Sequence, residues 1–516
     1  MSAAVSIPEA FRKAVDAFAD ADLVVMPDRR LSFAQVDRAS EGVAATLSRR
    51  GVAKGDRVAL YCPNCAEFLI AYLGIVKAGA VVVPINLLIQ ADEIRFILND
   101  ASVNTVIYHA ALADRLRGLR GDLSQITCWV CIGEQAIDDS DVRFADGVAD
   151  AAAIETPPLD AMTDLAAILY TSGTTGKPKG AMLTHNNLVT NTRSVRIALQ
   201  LRPREDRMLV VLPMFHSFAA TGGMLTPALH GVALVPVSRF DPNLVSDTIG
   251  ATGATVFLGV PSMYNLLLRI SDEQLTRWHS IRFGVAGGAA MPVELLKRFE
   301  ARFGFPILEG DGPTECSPVT CVNPLDGVRK PGSVGLAVQD VEIAIFDDGG
   351  RQLTANEIGE ICVRGANVMA GYWQLPEATA EVFFGEWLRT GDLGYLDEDA
   401  YVFIVDRKKD LVIVNGMNVY PRMVEEVLYQ HPDVLEAAVI GEPNDLHGEV
   451  VVAHLVPGEG RTLDEGELRA FCRRHLGPHQ MPRRFVVRDA LPKNATGKIL
   501  KRELRRAGEI ERGVDL

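Results

Sequence analysis

What most limits the fold of this chain is one repeated alternation. A short apolar run rich in Val and Ile is followed by a turn, and then by a segment with helical spacing. RVALY (57–61), VVVPI (81–85) and TVIYH (105–109) are separated by helix-period stretches near 65–78 and 91–101. AAILY (166–170), MLVVLP (208–213), VALVPV (232–237), TVFLGV (255–260) and IRFGVA (281–286) continue the series. Strands that are apolar on both faces and alternate with helices predict parallel sheets covered on both sides. At 516 residues, one hydrophobic core cannot serve the whole chain. The expectation is an α/β protein: a large, multi-sheet α/β N-terminal domain with at least one further domain.

After about residue 335 the texture changes to strands separated by turn signals, with Asp347-Asp348-Gly349-Gly350 as a turn or hairpin. Beyond 410 the order becomes strand (LVIVN), helix (421–430), strand (AAVIG), strand (EVVVAHLV) and helix (463–475), enough for a small α+β domain. Five consecutive charges, Asp406 to Asp410, separate the two textures. The expected domains are therefore 1–406 and 407–516, although such a charge run alone reads equally well as a solvated turn.

Composition removes several classes. Lys and Arg number 52 against 66 Asp and Glu, a net charge of −14, and no basic run offsets it, so no nucleic-acid partner is expected. The apolar stretch 69–89 is broken by Lys77, Pro84 and Asn86 and reads as helix, turn and strand; no transmembrane segment is expected. The start MSAAVSIPEAFRK lacks a signal-peptide pattern, which points to a cytoplasmic location. Two C-x-x-C pairs, Cys62/Cys65 and Cys128/Cys131, have zinc-site spacing. Residues three apart in a strand point to opposite faces, so buried reduced thiols are the expectation for CWVC.

The most informative segment is Tyr170-Thr171-Ser172-Gly173-Thr174-Thr175-Gly176-Lys177-Pro178-Lys179-Gly180. It follows a buried strand, and open α/β sheets bind ligands beyond the C-terminal ends of their strands. Glycines let backbone N–H groups turn toward an anion, while hydroxyls and lysines add donors and charge suited to a polyphosphate. Two residues separate Gly173 from Gly176 and Pro178 follows Lys177, so this is not a Walker A loop.

This string resembles the signature of the acyl-adenylate-forming superfamily, which includes acyl-CoA synthetases, peptide-synthetase adenylation domains and luciferases. Further family motifs occur in order. LPMFHSFA (212–219) resembles the acyl-pocket segment, with His216 at the family's His position. VAGGAAMP (285–292), with Gly287, Gly288 and Ala289, resembles the segment along which adenine lies. Glu309-Gly310-Asp311-Gly312-Pro313-Thr314-Glu315 corresponds to the family's YGxTE; the resemblance gives Thr314 to phosphate and Glu315 to Mg²⁺. Asp311 stands where the family has a Tyr that stacks on the base. Thr390-Gly391-Asp392 resembles the ribose-binding TGD, Arg407 the ribose-holding Arg, Lys409 the hinge, and Gly416 the glycine beside the pantetheine passage. Pro492-Lys493-Asn494-Ala495-Thr496-Gly497-Lys498 resembles the C-terminal motif that carries the catalytic Lys.

The resemblance implies an acyl-CoA synthetase-like fold with a small mobile C-terminal domain. It also implies ATP, Mg²⁺ and coenzyme A, and a small carboxylic acid as substrate. The catalytic group would be Lys498, Thr171, Glu315 and His216; Thr171 to Lys177 would cradle phosphates. An acid with no second charge fits Met214, Phe215, Phe218 and Ala219, most simply a medium- or long-chain fatty acid. Alternatives are an aromatic-acid CoA ligase of the coumarate type, an acyl-AMP ligase loading a carrier protein, and an inactive nucleotide-binding protein. A homodimer stays open. Cys316, beside Glu315, is not expected to act as a nucleophile.

Overall fold

The computed structural model describes residues 4–149, 155–171, 177–494 and 497–511, the last three without side-chain detail. Among the described residues the chain forms four sheets. The nine-stranded sheet contains six successive parallel strands, from Asp22–Val25 at one side to Ile307–Asp311 at the other. An eight-stranded sheet also has six parallel strands, among them Arg57–Tyr61, Val81–Pro84, Thr105–His109 and Leu165–Thr171. These are the β-branched runs of the sequence, and their buried positions are continuous rather than alternating. Side chains on both faces lie under helices, so no face is left polar.

Helix Ala66–Lys77 carries buried residues around its full circumference. It sits in the largest core, which joins both sheets. Just before it, Asn64 is a buried tie between them. Its Nδ2 donates to the carbonyls of Val210 (3.1 Å), Leu212 (2.8 Å) and Val237 (3.1 Å). Its Oδ1 accepts from Met214 N at 2.8 Å. Strand ends buried against one another leave carbonyls without ladder partners, and one side-chain amide satisfies several of them.

The strand-and-turn texture after 335 is a five-stranded antiparallel sheet, Val341–Phe346, Gly359–Gly365, Phe383–Phe384, Trp387–Leu396 and Val402–Arg407. Asp347 to Gly350 form the expected turn, closed by Gly350 N to Asp347 O at 3.0 Å. The next sheet begins at Val412 and belongs to a small C-terminal α+β domain. Three of its elements escape the sequence reading, the short strand Met417–Val419, the edge strand Arg484–Val487 and the helix Lys501–Glu511. The edge strand is short, flanked by arginines and only half-buried, so it lacks the apolar continuity that marks the others.

Cys128 and Cys131 lie in one strand and pack into separate cores on its two sides, which keeps the two thiols from one metal ion. Cys62 Sγ stands 3.5 Å from Cys65 Sγ, and burial pushes the Cys62 thiol up. Among the described residues no helix is long and apolar enough to cross a membrane.

Candidate active site

The C-terminal ends of both parallel sheets and a loop of the C-terminal domain converge on one cavity of about 2060 Å³. Thr171, His216, Gly287 to Ala289, Gly310 to Glu315, Asp392, Arg407, Lys409 and Lys498 all line it. Residues dispersed over more than 300 positions thus meet, most of them at the ends of strands or in the loops that follow.

At the expected phosphate end, Thr171 and Lys179 face each other across paired strands, and Thr171 Oγ1 donates to Lys179 O at 3.4 Å. Ser172, Gly173, Thr174, Thr175 and Gly176 lie outside the described residues. Lys177 is not brought to the cavity; its ammonium stands 5.8 Å from the Phe96 ring centroid. Lys179 does line the cavity and lies over the Tyr372 ring. Thr314 Oγ1 is 3.1 Å from Ser217 Oγ.

Glu315 Oε1 accepts from Tyr372 OH at 2.8 Å, and Met369 N donates to Glu315 O. Tyr372, on the short strand Gly371–Tyr372 paired to Lys179–Thr184, therefore aims the carboxylate. No motif in the sequence marks it. Among the described residues no cluster of three or more metal-ligating side chains exists. A single aimed carboxylate beside Thr314 and Thr171 suits Mg²⁺, which keeps waters and takes substrate phosphate oxygens rather than a protein cage.

The expected adenine slot depends on missing side chains. A Cβ on Gly287 would meet the Phe218 ring at 3.2 Å and Gly310 O at 3.4 Å, and Gly288 has φ +76°. At Gly312 a Cβ would lie 1.5 Å from Pro318 O, so only glycine fits there. Asp392 and Arg407 are register partners on neighbouring strands, and Arg407 Nε meets Asp392 Oδ1 at 3.0 Å. Burial and then Asp392 push the Asp311 carboxyl up to about 6, against the pull of Arg407 and Lys498. Glu309, expected to touch nucleotide, does not line the cavity. It is 2% exposed and its Oε1 accepts from Met291 N at 2.9 Å; burial raises it to about 7.

Lys498 reaches the cavity on a tight loop. Its N–H donates to Asn494 Oδ1 at 2.9 Å, Asn494 N donates back to Lys498 O, and Gly497 N to Asn494 O. Ser262 Oγ, at the other wall, donates to Gly497 O at 3.4 Å, and a Cβ on Gly497 would stand 2.6 Å from that oxygen. Burial draws the Lys498 ammonium down to about 8, with Arg407 adding and Asp392 and Asp311 opposing. His216 falls to about 4 by burial and by the charge of Lys498, so its ring is neutral at pH 7. Its Nδ1 accepts from Phe218 N at 3.4 Å.

Val195, Leu199, Leu212, Phe215, Gly222 and Leu258 give the cavity an apolar stretch of lining, its apolar branch. Gly222 belongs to a π-helix, Phe218–Leu225. Burial holds the Cys316 thiol far above its ordinary range, which removes it as a thiolate nucleophile. Lys409 is exposed at the cavity rim. Gly416 is not brought in. It forms the two-residue turn of the hairpin Val412–Val414 and Met417–Val419, with φ +78° and open space where a Cβ would stand.

Residues 11–373 match the family model described as AMP-binding enzyme, and residues 423–498 match the AMP-binding enzyme C-terminal domain. A long-chain-fatty-acid–CoA ligase of Bacillus subtilis is 35% identical over 513 residues, covering 94% of this chain and 92% of the relative. Long-chain-fatty-acid–CoA ligase FadD13 of Mycobacterium tuberculosis is 35% identical over 482 residues, 93% of either chain. Among solved structures, ATP-bound MatB from Rhodopseudomonas palustris superposes with a TM-score of 0.89 at 33% identity, over 98% of this chain and 99% of that one. The anthranilate CoA ligase AuaEII in complex with anthranoyl-AMP gives 0.92 at 28%, over 99% of each.

Proposed function

The chain belongs to the AMP-binding enzyme family, and from that premise we propose that it is an ATP-dependent acid–thiol ligase that converts a fatty acid to its coenzyme A thioester. The observation that carries this reading is half-buried Lys498 lining the same cavity as Thr171, Thr314, Glu315 and the Asp392–Arg407 pair.

A carboxylate resists nucleophilic attack because it is anionic and has no usable leaving group. In the first step its oxygen attacks the α-phosphorus of ATP, the bond to the β-phosphate bridging oxygen breaks, and pyrophosphate leaves. Two anions must be held together for this, and the ammonium of Lys498 is the charge suited to bridging carboxylate and α-phosphate. Thr171, Thr314 and Lys179 offer donors to the departing phosphates, and Asp392 with Arg407 holds the ribose. Glu315 would hold Mg²⁺, which would supply charge neutralisation to the triphosphate. Neutral His216 closes the carboxylate end without adding a competing cation.

In the second step the thiol of coenzyme A attacks the acyl carbonyl and AMP leaves with the bonding pair. Lys498 blocks that approach in this arrangement. A boundary at 406/407 with rotation about Lys409 would withdraw it and bring round the hairpin of Gly416, whose exposed Ile413 and Met417 are then available for packing. The apolar branch favours an unbranched acid without a second charge, which agrees with the names of the relatives. Pyrophosphate release with short, medium, long and aromatic acids, with and without coenzyme A, tests the reading. A fatty-acid preference and coenzyme A-dependent thioester are expected. Turnover that stops at acyl-AMP would assign the enzyme to carrier-protein loading, and preference for aromatic acids would overturn the fatty-acid part.

A further inference from the structure

Helix Pro421–Tyr429 of the C-terminal domain meets the nucleotide-binding body at two positions one turn apart, Arg422 and Glu426. Arg422 Nη2 stands 4.0 Å from Glu309 Oε1, with the two side chains 12% and 2% exposed. Arg422 is itself fixed: its Nη1 donates to Ile404 O and its N–H to Asp406 Oδ2, each at 2.8 Å. Glu426, four residues on and on the same helix face, lines the cavity together with Pro292, and the Val293 backbone draws its carboxyl down against the upward push of burial. Val293 opens the helix Val293–Phe303, whose N-cap residue is Pro292 and has no side-chain acceptor to offer. The first amides of a helix need an outside acceptor and carry partial positive charge. The C-terminal domain thus supplies the cap that the other domain's sequence lacks, and a cation near a buried carboxylate.

We propose that Arg422 and Glu426 are positioning residues for the first step, a latch that docks helix Pro421–Tyr429 on the nucleotide-binding body and thereby keeps Lys498 in the cavity. The proposal rests on the ligase reading given above. Rotation of the C-terminal domain must break both contacts, exposing Val293 N–H and leaving Glu309 without its cation. The latch therefore biases the enzyme toward acyl-AMP formation, and its removal biases it toward the thioester-forming arrangement. Ser262 Oγ on Gly497 O is the complementary contact at the loop that carries Lys498.

The test separates the two half-reactions. Glu426→Ala lowers acid-dependent ATP–pyrophosphate exchange about fivefold to tenfold, the effect of losing one helix cap, while thioester formation from supplied acyl-AMP and coenzyme A is unchanged or faster. Glu426→Gln, which keeps an acceptor oxygen, recovers most of the exchange. Arg422→Met acts in the same direction, and adding Glu309→Gln to it costs less than the two single changes combined, because the carboxylate then no longer needs a cation. Equal loss in both half-reactions would mark the contacts as merely structural and overturn the proposal. Unchanged exchange in an active enzyme would do the same. A second readout needs no substrate: hydrogen exchange at Val293 in the whole chain speeds up in Glu426→Ala. Unchanged protection there defeats the latch, whereas wild-type protein inactive on every acid defeats the ligase reading instead.

Discussion

The charge of Lys498 offers the sharpest test of the first step. Burial takes its ammonium from 10.5 to about 8, a penalty of about 3 kcal/mol on the charged form. At pH 7 about nine-tenths of the free enzyme still carries the proton, and at pH 9 about one-tenth does. If that charge bridges carboxylate and α-phosphate, kcat/KM for ATP falls about tenfold between pH 7 and pH 9, because this parameter follows the free enzyme. ATP–pyrophosphate exchange is the assay, since it omits coenzyme A and so excludes titration of the acceptor thiol. Lys498→Arg keeps a cation whose proton is not lost in this range. Its exchange is weaker overall but flat from pH 7 to 9. A flat wild-type profile, or the same falling limb in Lys498→Arg, would refute the assignment; the second result would move the titration to another group, with Lys409 the nearest candidate.

Other residues give separable outcomes. Glu315→Gln should raise the Mg²⁺ concentration needed for half-maximal exchange at least tenfold, and Tyr372→Phe, which removes only the aiming hydrogen bond, by about fivefold. Gly312→Ala forces a methyl into the Pro318 carbonyl and should cost about 3 kcal/mol of stability, read as a lower thermal midpoint or loss of soluble protein. Gly222→Leu fills the apolar branch beside Phe218 and should abolish turnover of long acids while short acids persist; an unchanged chain-length profile would place the acyl chain elsewhere. Lys409→Pro, which restricts φ, should slow thioester formation more than exchange, and equal rates in both would remove the hinge role.

The sheets were legible because strands buried on both faces leave uninterrupted Val and Ile runs, a signal that survives without any knowledge of tertiary contacts. The glycine-bearing loops were legible for a related reason: Gly287, Gly310 and Gly312 stand where backbone approaches backbone or ring, so their lack of a side chain is itself information. What stayed hidden depends on pairs distant in sequence. Tyr372 aims Glu315 from 57 positions away, and the apolar lining joins Val195, Gly222 and Leu258 from three separate elements. Motif position also misleads about orientation. Glu309 belongs to the string that supplies Thr314 and Glu315, yet its carboxylate is turned under the Met291 amide. Lys177 belongs to the phosphate loop but rests over Phe96, and Gly416 lies on a hairpin tip outside the cavity. In each case the pattern was visible in the sequence, and the surroundings of the residue were not.

The buried amide of Asn64 has a consequence for traffic. By holding Val210, Leu212, Val237 and Met214 at once, it ties the two large sheets together behind Leu212, a residue of the cavity wall, so parting the sheets there would break four buried hydrogen bonds. Another part of the cavity wall, with Arg422, Glu426 and Lys498, belongs to the C-terminal domain. On the proposed mechanism one moving part would serve as valve and as catalyst, and the residence time of a product would follow the same swing that withdraws Lys498.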